Sequence, residues 1–167
     1  MAAVMDRRVV EYADWQAGLE VGISIIDDQH RRLFELAATF QGDGDQIRVM
    51  KTLALLMDYI KTHLRDEEEL MEACAYPRLA EHRQMHAEFR QMLLSLLERA
   101  KRLSLDEIAE DVKFLINGWF FKHIMVADQD YAPYVRAYQA SQGHQKAMPE
   151  GNSQQEPLDD AADHASD

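Results

Sequence analysis

A histidine and a carboxylate lie four residues apart in the sequence HLRDEEELM, which occupies residues 63–71. Residues at this spacing on an α-helix differ by only about 40° around the helix axis, so His63 and Glu67 share one face. That face also carries the apolar side chains of the segment, which include Ile60, Leu70 and Cys74. A histidine and an acid that point together into an apolar core could bind a metal ion, since imidazole nitrogens and carboxylate oxygens are common metal ligands.

The remaining acids of this run point in other directions on the same helix. Asp66, Glu68 and Glu69 are rotated away from the apolar face, and we expect them to be solvated. The acidic run therefore divides into one carboxylate that faces the core and three that face solvent.

The other histidines repeat this pattern. His82 and His86 are four residues apart on the apolar stripe of a third helical segment, while His30 and His123 lie on the stripes of the first and fourth. A single core histidine is most simply an imidazole with a hydrogen-bond partner. Five of them beside a buried carboxylate would be costly without a compensating positive charge. Five nitrogens are too many for one tetrahedral zinc site and suit two metal ions bridged by carboxylates.

A second bridging carboxylate could come from the fourth helical segment, where Asp128 follows His123 by five residues. Five residues turn a regular α-helix by about 140°, so the two side chains would not share a face. Asp128 is then a surface acid, unless the helix loosens locally, as in a π-bulge, or the regular helix ends before Asp128.

Four stretches of helical periodicity position these residues. They cover about 27–41, 46–75, 77–101 and a segment that starts after Ser104 and is expected to end before Pro133. Ser104 and Glu107 form the S-x-x-E pattern of a capping box. No segment has the pattern of a strand. Four helices with short connections predict an all-α, up-down-up-down antiparallel four-helix bundle.

The two ends of the chain differ from this central part. Residues 1–26 are expected to form an irregular N-terminal arm, so that the bundle domain spans residues 1–140. Residues 141–167 are acidic and of low complexity, with few bulky apolar side chains. Such a tail buries too little surface to offset its ordering entropy, and we expect it to be disordered.

Composition excludes several function classes. A net charge of −12 argues against nucleic-acid binding, which requires a basic surface. The N-terminal residues lack the apolar stretch of a secretory signal, and no apolar run is long enough to insert into a membrane. A single cysteine excludes an intrachain disulfide. We expect a cytoplasmic protein.

Four motifs together resemble the hemerythrin family, in particular its single-domain bacterial members. They are WQAGLEVGISIIDDQH at 15–30, HLRDEEELM at 63–71, HRQMH at 82–86 and WFFKHIMVAD at 119–128. Each motif is weak by itself, but all four in order, at separations that suit a bundle, are specific. The resemblance covers about residues 12–135.

The resemblance implies a cofactor of two non-haem iron ions per chain, joined by an oxo or hydroxo bridge. It implies His82, His86 and His123 as ligands of one iron. It implies His30 and His63 as ligands of the other. Glu67 and Asp128 would bridge both ions, which assigns Asp128 to the metal site despite its spacing.

The resemblance also implies reversible binding of dioxygen, at the one open coordination position of the iron that has two histidines. Five neutral imidazoles with only two carboxylates favour the ferrous state and carrying rather than oxidation. The expected role is oxygen storage, transport or delivery, without enzymatic activity. The alternatives are an oxygen, redox or nitric oxide sensor that acts through a partner protein, and a peroxidase-like or iron-handling enzyme. The oligomeric state is left open.

An apolar pocket should surround the open position and exclude water. Its candidates are neighbours of the expected ligands, namely Leu33, Leu64, Trp119, Phe120 and Ile124. Most of these would equally be bundle core. Leu64 stands where the family commonly has phenylalanine, and the smaller side chain could enlarge the pocket.

Overall fold

The computed structural model describes residue 15, residues 17–40 and residues 45–147. A 3₁₀ turn at Ala17–Leu19 precedes three α-helices, α1 (Ser24–Ala38), α2 (Gln46–Ala73) and α3 (Leu79–Ala100). The fourth helix runs without a break along the chain from Leu105 to Ala147 but changes type. It consists of α4 (Leu105–Lys113), a π segment (Phe114–Phe120), α5 (Phe121–His123), a second π segment (Ile124–Asp128) and α6 (Gln129–Ala147).

The predicted all-α four-helix architecture is confirmed, and the described residues contain no strand. α2 lies at the centre of the contacts, packing against α1, α3 and α6, while α1 also packs against α4 and the first π segment. The buried stripes of these helices meet in one apolar core. In this arrangement the inward faces of all four helices surround a common space.

Two helices begin close to the predicted residues, and a capping side chain stabilises each start. Asp45 caps α2, since its side chain accepts a hydrogen bond from the Arg48 amide at 2.8 Å. Ser104 and Glu107 form the predicted capping box at the start of α4. α1 begins at Ser24 and ends at Ala38, about three residues earlier at each end than the periodicity indicated.

The expected end of the fourth helix before Pro133 was wrong, because Pro133 lies inside α6. A proline inside a helix loses one hydrogen bond and costs about 3 kcal/mol. The residues on both sides of it are buried, and their packing offsets that cost; they are Tyr131, Ala132 and Val135.

α6 continues to Ala147, so residues 141–147 are helical and the expectation of disorder does not hold for them. The rest of the predicted tail, 148–167, and most of the N-terminal arm lie outside the described residues.

Within the described part of the chain, no helix has both the length and the apolar content that a membrane span needs.

Candidate metal centre

The structure brings all seven predicted ligand side chains together in the core. Each is at most 5% exposed. They are His30 from α1, His63 and Glu67 from α2, His82 and His86 from α3, and His123 and Asp128 from the fourth helix. All four helices therefore contribute to one buried polar cluster.

Three imidazoles point at one another on one side of this cluster. The Nε2 atom of His123 lies 3.1 Å from Nε2 of His82 and 3.2 Å from Nε2 of His86. The Oε2 atom of Glu67 lies 3.1 Å from Nε2 of His86. These four side chains form a group with one ligand atom each, all mutually within 4.8 Å.

Two imidazoles form the other side. The rings of His30 and His63 are 4.7 Å apart between centroids. Nε2 of His63 lies 3.9 Å from Oε2 of Glu67. His30, His63 and Glu67 form a second group of ligand atoms within the same limit. Glu67 therefore belongs to both groups, as a bridging carboxylate must.

Asp128 faces both groups as well. Its Oδ1 atom lies 3.1 Å from Nε2 of His123, and its Oδ2 atom lies 3.3 Å from Nε2 of His30. The π segment Ile124–Asp128 explains how this residue turns inward. In a π turn the amide bonds to the carbonyl five residues back, so residues five apart come onto one face. The predicted local loosening of the helix is confirmed.

The donor set of this cluster fits metal ions better than it fits internal hydrogen bonding. Nε2 of His30, Nε2 of His63, Oε2 of Glu67 and both carboxylate oxygens of Asp128 are buried, and none has a hydrogen-bond partner among the described residues. Buried polar atoms without partners are costly. Metal–imidazole bonds are about 2.0–2.1 Å long, so two nitrogens bound at right angles lie about 3 Å apart. The contacts between His82, His86 and His123 match that separation.

The protonation states of His63 and Glu67 also favour metal binding. Burial lowers the pKa of His63 to about 4, so its imidazole is neutral near pH 7 and has a free lone pair. Burial alone would raise the pKa of Glu67, but the imidazoles of His82 and His86 beside its carboxylate outweigh burial and hold this pKa well below its usual range. Glu67 is therefore ionised and able to bind a cation through both oxygens.

Three residues outside the predicted set hold these ligands in place. Nδ1 of His86 lies 2.8 Å from Oε1 of Glu68, and Nδ1 of His63 lies 2.9 Å from Oε1 of Gln29. Burial and the Glu67 carboxylate raise the pKa of Tyr131, and its hydroxyl donates to Oε1 of Glu67 at 2.6 Å.

The expectation that three acids of the 66–69 run are solvated was wrong for two of them. The Glu68 side chain is only 16% exposed because it lies against His86 on α3. The Asp66 side chain accepts a hydrogen bond from Gln29 on α1. Only Glu69, with a side chain 70% exposed, faces solvent as predicted. The rotation of Glu68 from the apolar face placed it at the seam between helices rather than in water.

Four of the five pocket candidates are fully buried, namely Leu33, Leu64, Phe120 and Ile124. The Phe120 ring lies 5.5 Å from the ring of His30 and 5.6 Å from that of His63, at the two-histidine side. Trp119 instead stacks on His123 at 4.6 Å, at the three-histidine side. Trp119 thus lies against the three-histidine group, whereas the pocket is expected at the two-histidine side.

Comparison with known proteins agrees with this geometry. The family described as "Hemerythrin HHE cation binding domain" matches residues 21–135. The Bacteriohemerythrin of Stenotrophomonas maltophilia is 32% identical over 127 residues, which are 74% of this chain and 82% of that protein. The Myohemerythrin-1 of Phascolopsis gouldii is 29% identical over 117 residues, 70% of this chain and 89% of that protein. A solved crystal structure of a leucine-to-phenylalanine mutant, 24% identical, has the same fold, with a TM-score of 0.64 over 72% of this chain and 95% of that one.

Proposed function

The chain belongs to the hemerythrin family, and from this premise we propose that it binds dioxygen reversibly at a non-haem di-iron centre, for oxygen storage, transport or delivery. The observation that carries the proposal is the pair of ligand groups that share Glu67 in a buried core. A carboxylate shared between two clusters of imidazoles is an arrangement that suits a centre of two metal ions.

The proposed ligand assignment follows the two groups. His82, His86 and His123 would hold one iron, and His30 and His63 would hold the other. Glu67 and Asp128 would be shared by both ions, with an oxo or hydroxo group from solvent completing the centre. This assignment would leave the two-histidine iron with one ligand fewer, and dioxygen would bind there.

Iron supplies the electrons that dioxygen binding needs. The chain contributes the electrostatic setting, with five neutral imidazoles and only two carboxylates bound to the metals. Such a donor set carries little negative charge and favours the ferrous state over higher oxidation states. It therefore favours release of intact oxygen over its consumption.

Apolar side chains around the two-histidine side also favour reversible oxygen binding. Leu33, Leu64, Phe120 and Ile124 are each 0% exposed, and Phe120 lies edge-on to both imidazoles of the two-histidine side. We assign these four side chains to the oxygen pocket. They exclude water and protons from the open position, which slows conversion to the ferric state.

The test is an oxygen titration of the iron-loaded, anaerobically reduced protein, with iron counted and the visible spectrum followed. We expect two irons per chain and a spectral change that reverses when oxygen is removed. The zinc-loaded protein, which cannot exchange electrons, is the control and should show no such change. Oxygen consumption without recovery of the reduced spectrum would contradict a carrier function and favour an enzymatic one.

A further inference from the structure

The outer nitrogens of two ligand histidines have partners of different charge. At the three-histidine side, Nδ1 of His86 lies 2.8 Å from a carboxylate oxygen of Glu68. At the two-histidine side, Nδ1 of His63 lies 2.9 Å from the amide oxygen of Gln29. One imidazole is therefore paired with an anion and the other with a neutral group of nearly the same shape.

The charge of Glu68 is held in place by α3. Its Oε1 atom also accepts a hydrogen bond from Arg90 at 2.8 Å, and its Oε2 atom lies 3.4 Å from Nε of Arg83. Because an ionised carboxylate only accepts hydrogen bonds, Nδ1 of His86 must carry the proton. Nε2 of His86 then keeps its lone pair, which points into the three-histidine group.

The orientation of Gln29 is also determined by a neighbour. Its Nε2 atom donates to Oδ2 of Asp66 at 2.8 Å, which leaves its amide oxygen facing His63. Nδ1 of His63 therefore donates, and its Nε2 lone pair points into the two-histidine group. Both outer contacts select the same tautomer, but the partner of His86 is charged and the partner of His63 is neutral.

We propose that Glu68 and Gln29 are positioning residues that make the two metal positions unequal, so that the three-histidine position fills first and binds its ion more tightly. The inference rests on the ligand assignment of the proposed function. An outer-shell carboxylate makes a metal-bound imidazole a stronger donor, and loss of such a partner costs about 10–100-fold in metal affinity. A neutral amide orients the imidazole without that gain.

The two tryptophans of the chain can report separately on the two metal positions. Trp119 stacks on His123 of the three-histidine group, with ring centroids 4.6 Å apart. Trp15 lies 6.1 Å from the ring of His30 in the other group. Trp15→Phe and Trp119→Phe variants therefore each keep one tryptophan, whose fluorescence is quenched most strongly when a paramagnetic ion occupies the adjacent position.

The experiment is an anaerobic titration of the metal-free full chain with cobalt(II) in each single-tryptophan background. We expect Trp119 to be quenched at a lower cobalt concentration than Trp15. Glu68→Gln keeps the shape and removes the charge, and it should weaken the Trp119 step by about 10–100-fold, with a smaller change in the Trp15 step.

The reciprocal variant moves the charge to the other side. Gln29→Glu is combined with Asp66→Asn, because two adjacent carboxylates would otherwise repel. The new carboxylate should strengthen the Trp15 step by up to about tenfold and leave the Trp119 step nearly unchanged. Since this variant gains affinity, its effect cannot arise from damage to the fold.

Glu69→Gln is the matched control, since it removes a charge from the same acidic run at an exposed side chain and should change neither step. The inference is overturned if Trp15 is quenched first, or if Glu68→Gln leaves the Trp119 step unchanged or weakens both steps equally. Oxygen is absent throughout, so this result is independent of whether the protein binds oxygen reversibly.

Discussion

α2 and the fourth helix each supply a histidine and a carboxylate to the centre, but they do so with different backbones. On α2, His63 and Glu67 are four residues apart in a regular helix, and one face holds both. On the fourth helix, His123 and Asp128 are five residues apart, and a π segment brings them onto one face. Ligand spacing thus determines whether a helix can remain regular.

The two helices differ in local stability around their ligand residues. α2 is a regular α-helix through His63 and Glu67, so its backbone hydrogen bonds hold both side chains in place. A π turn is rare and less favourable than an α turn, and it persists where other interactions require it. We therefore expect the ligands of the fourth helix to depend on the metal more than those of α2 do.

The largest effect should follow from Glu67→Ala, which removes the carboxylate common to both groups. We expect the purified protein to lose most of both irons, a larger loss than the about 10–100-fold change in affinity that an outer-shell substitution produces. Metal analysis measures this, with Glu69→Ala as the exposed control. Two tightly held irons in the Glu67 variant would refute its bridging role.

A second change would convert the fourth helix to the geometry of α2. Deleting one residue from Ile124–Ala127 restores a spacing of four between His123 and the aspartate, but it moves that carboxylate by about 1.5 Å along the axis. We expect iron binding to weaken by about 10–100-fold, by analogy with other losses of ligand support. Val126→Ala changes an exposed side chain in the same segment and serves as the control. Iron binding as tight as in the unaltered chain would show that the π segment is not needed.

Removal of the metal should distinguish the two helices without a mutation. Ions at a thousand times their dissociation constant stabilise the folded state by about 4 kcal/mol. We expect chelation to lower the unfolding temperature and to accelerate hydrogen exchange in Ile124–Asp128 more than in residues 60–71. Mass spectrometry of exchanged peptides compares the two regions directly. Equal acceleration in both would contradict the proposed dependence of the π segment on ligation.

The smallest effect is expected at the end of the fourth helix. Among side chains whose exposure is described, Val135 is the last buried one, and residues 136–142 are exposed. A chain truncated after Ala140 should therefore bind iron and oxygen as the full chain does, with stability changed by no more than about 0.5 kcal/mol. A chain truncated after Ala147, where α6 ends, is the reference. Iron loss or much faster autoxidation in the shorter chain alone would extend the domain beyond residue 140.

Sequence reasoning succeeded where an interaction lies within one helix. The pairs His63–Glu67 and His82–His86 follow from the helical repeat, because four residues return the chain to nearly the same face whatever packs against it. The capping box at Ser104 and Glu107 is equally local. The spacing of His123 and Asp128 indicated a departure from the regular helix, and the structure has a π segment at that place.

Contacts between helices were decided by the tertiary structure. Glu68 reaches His86 across 18 residues of sequence, Gln29 reaches His63 across 34, and Tyr131 reaches Glu67 across 64. All three pairs depend on how neighbouring helices are rotated and shifted relative to one another. The periodicity of a single helix does not predict that arrangement. Sequence by itself thus determined which residues of each helix face inward. Only the packing of the four helices decided which inward and seam residues touch, because that depends on how side chains from different helices fill one shared core.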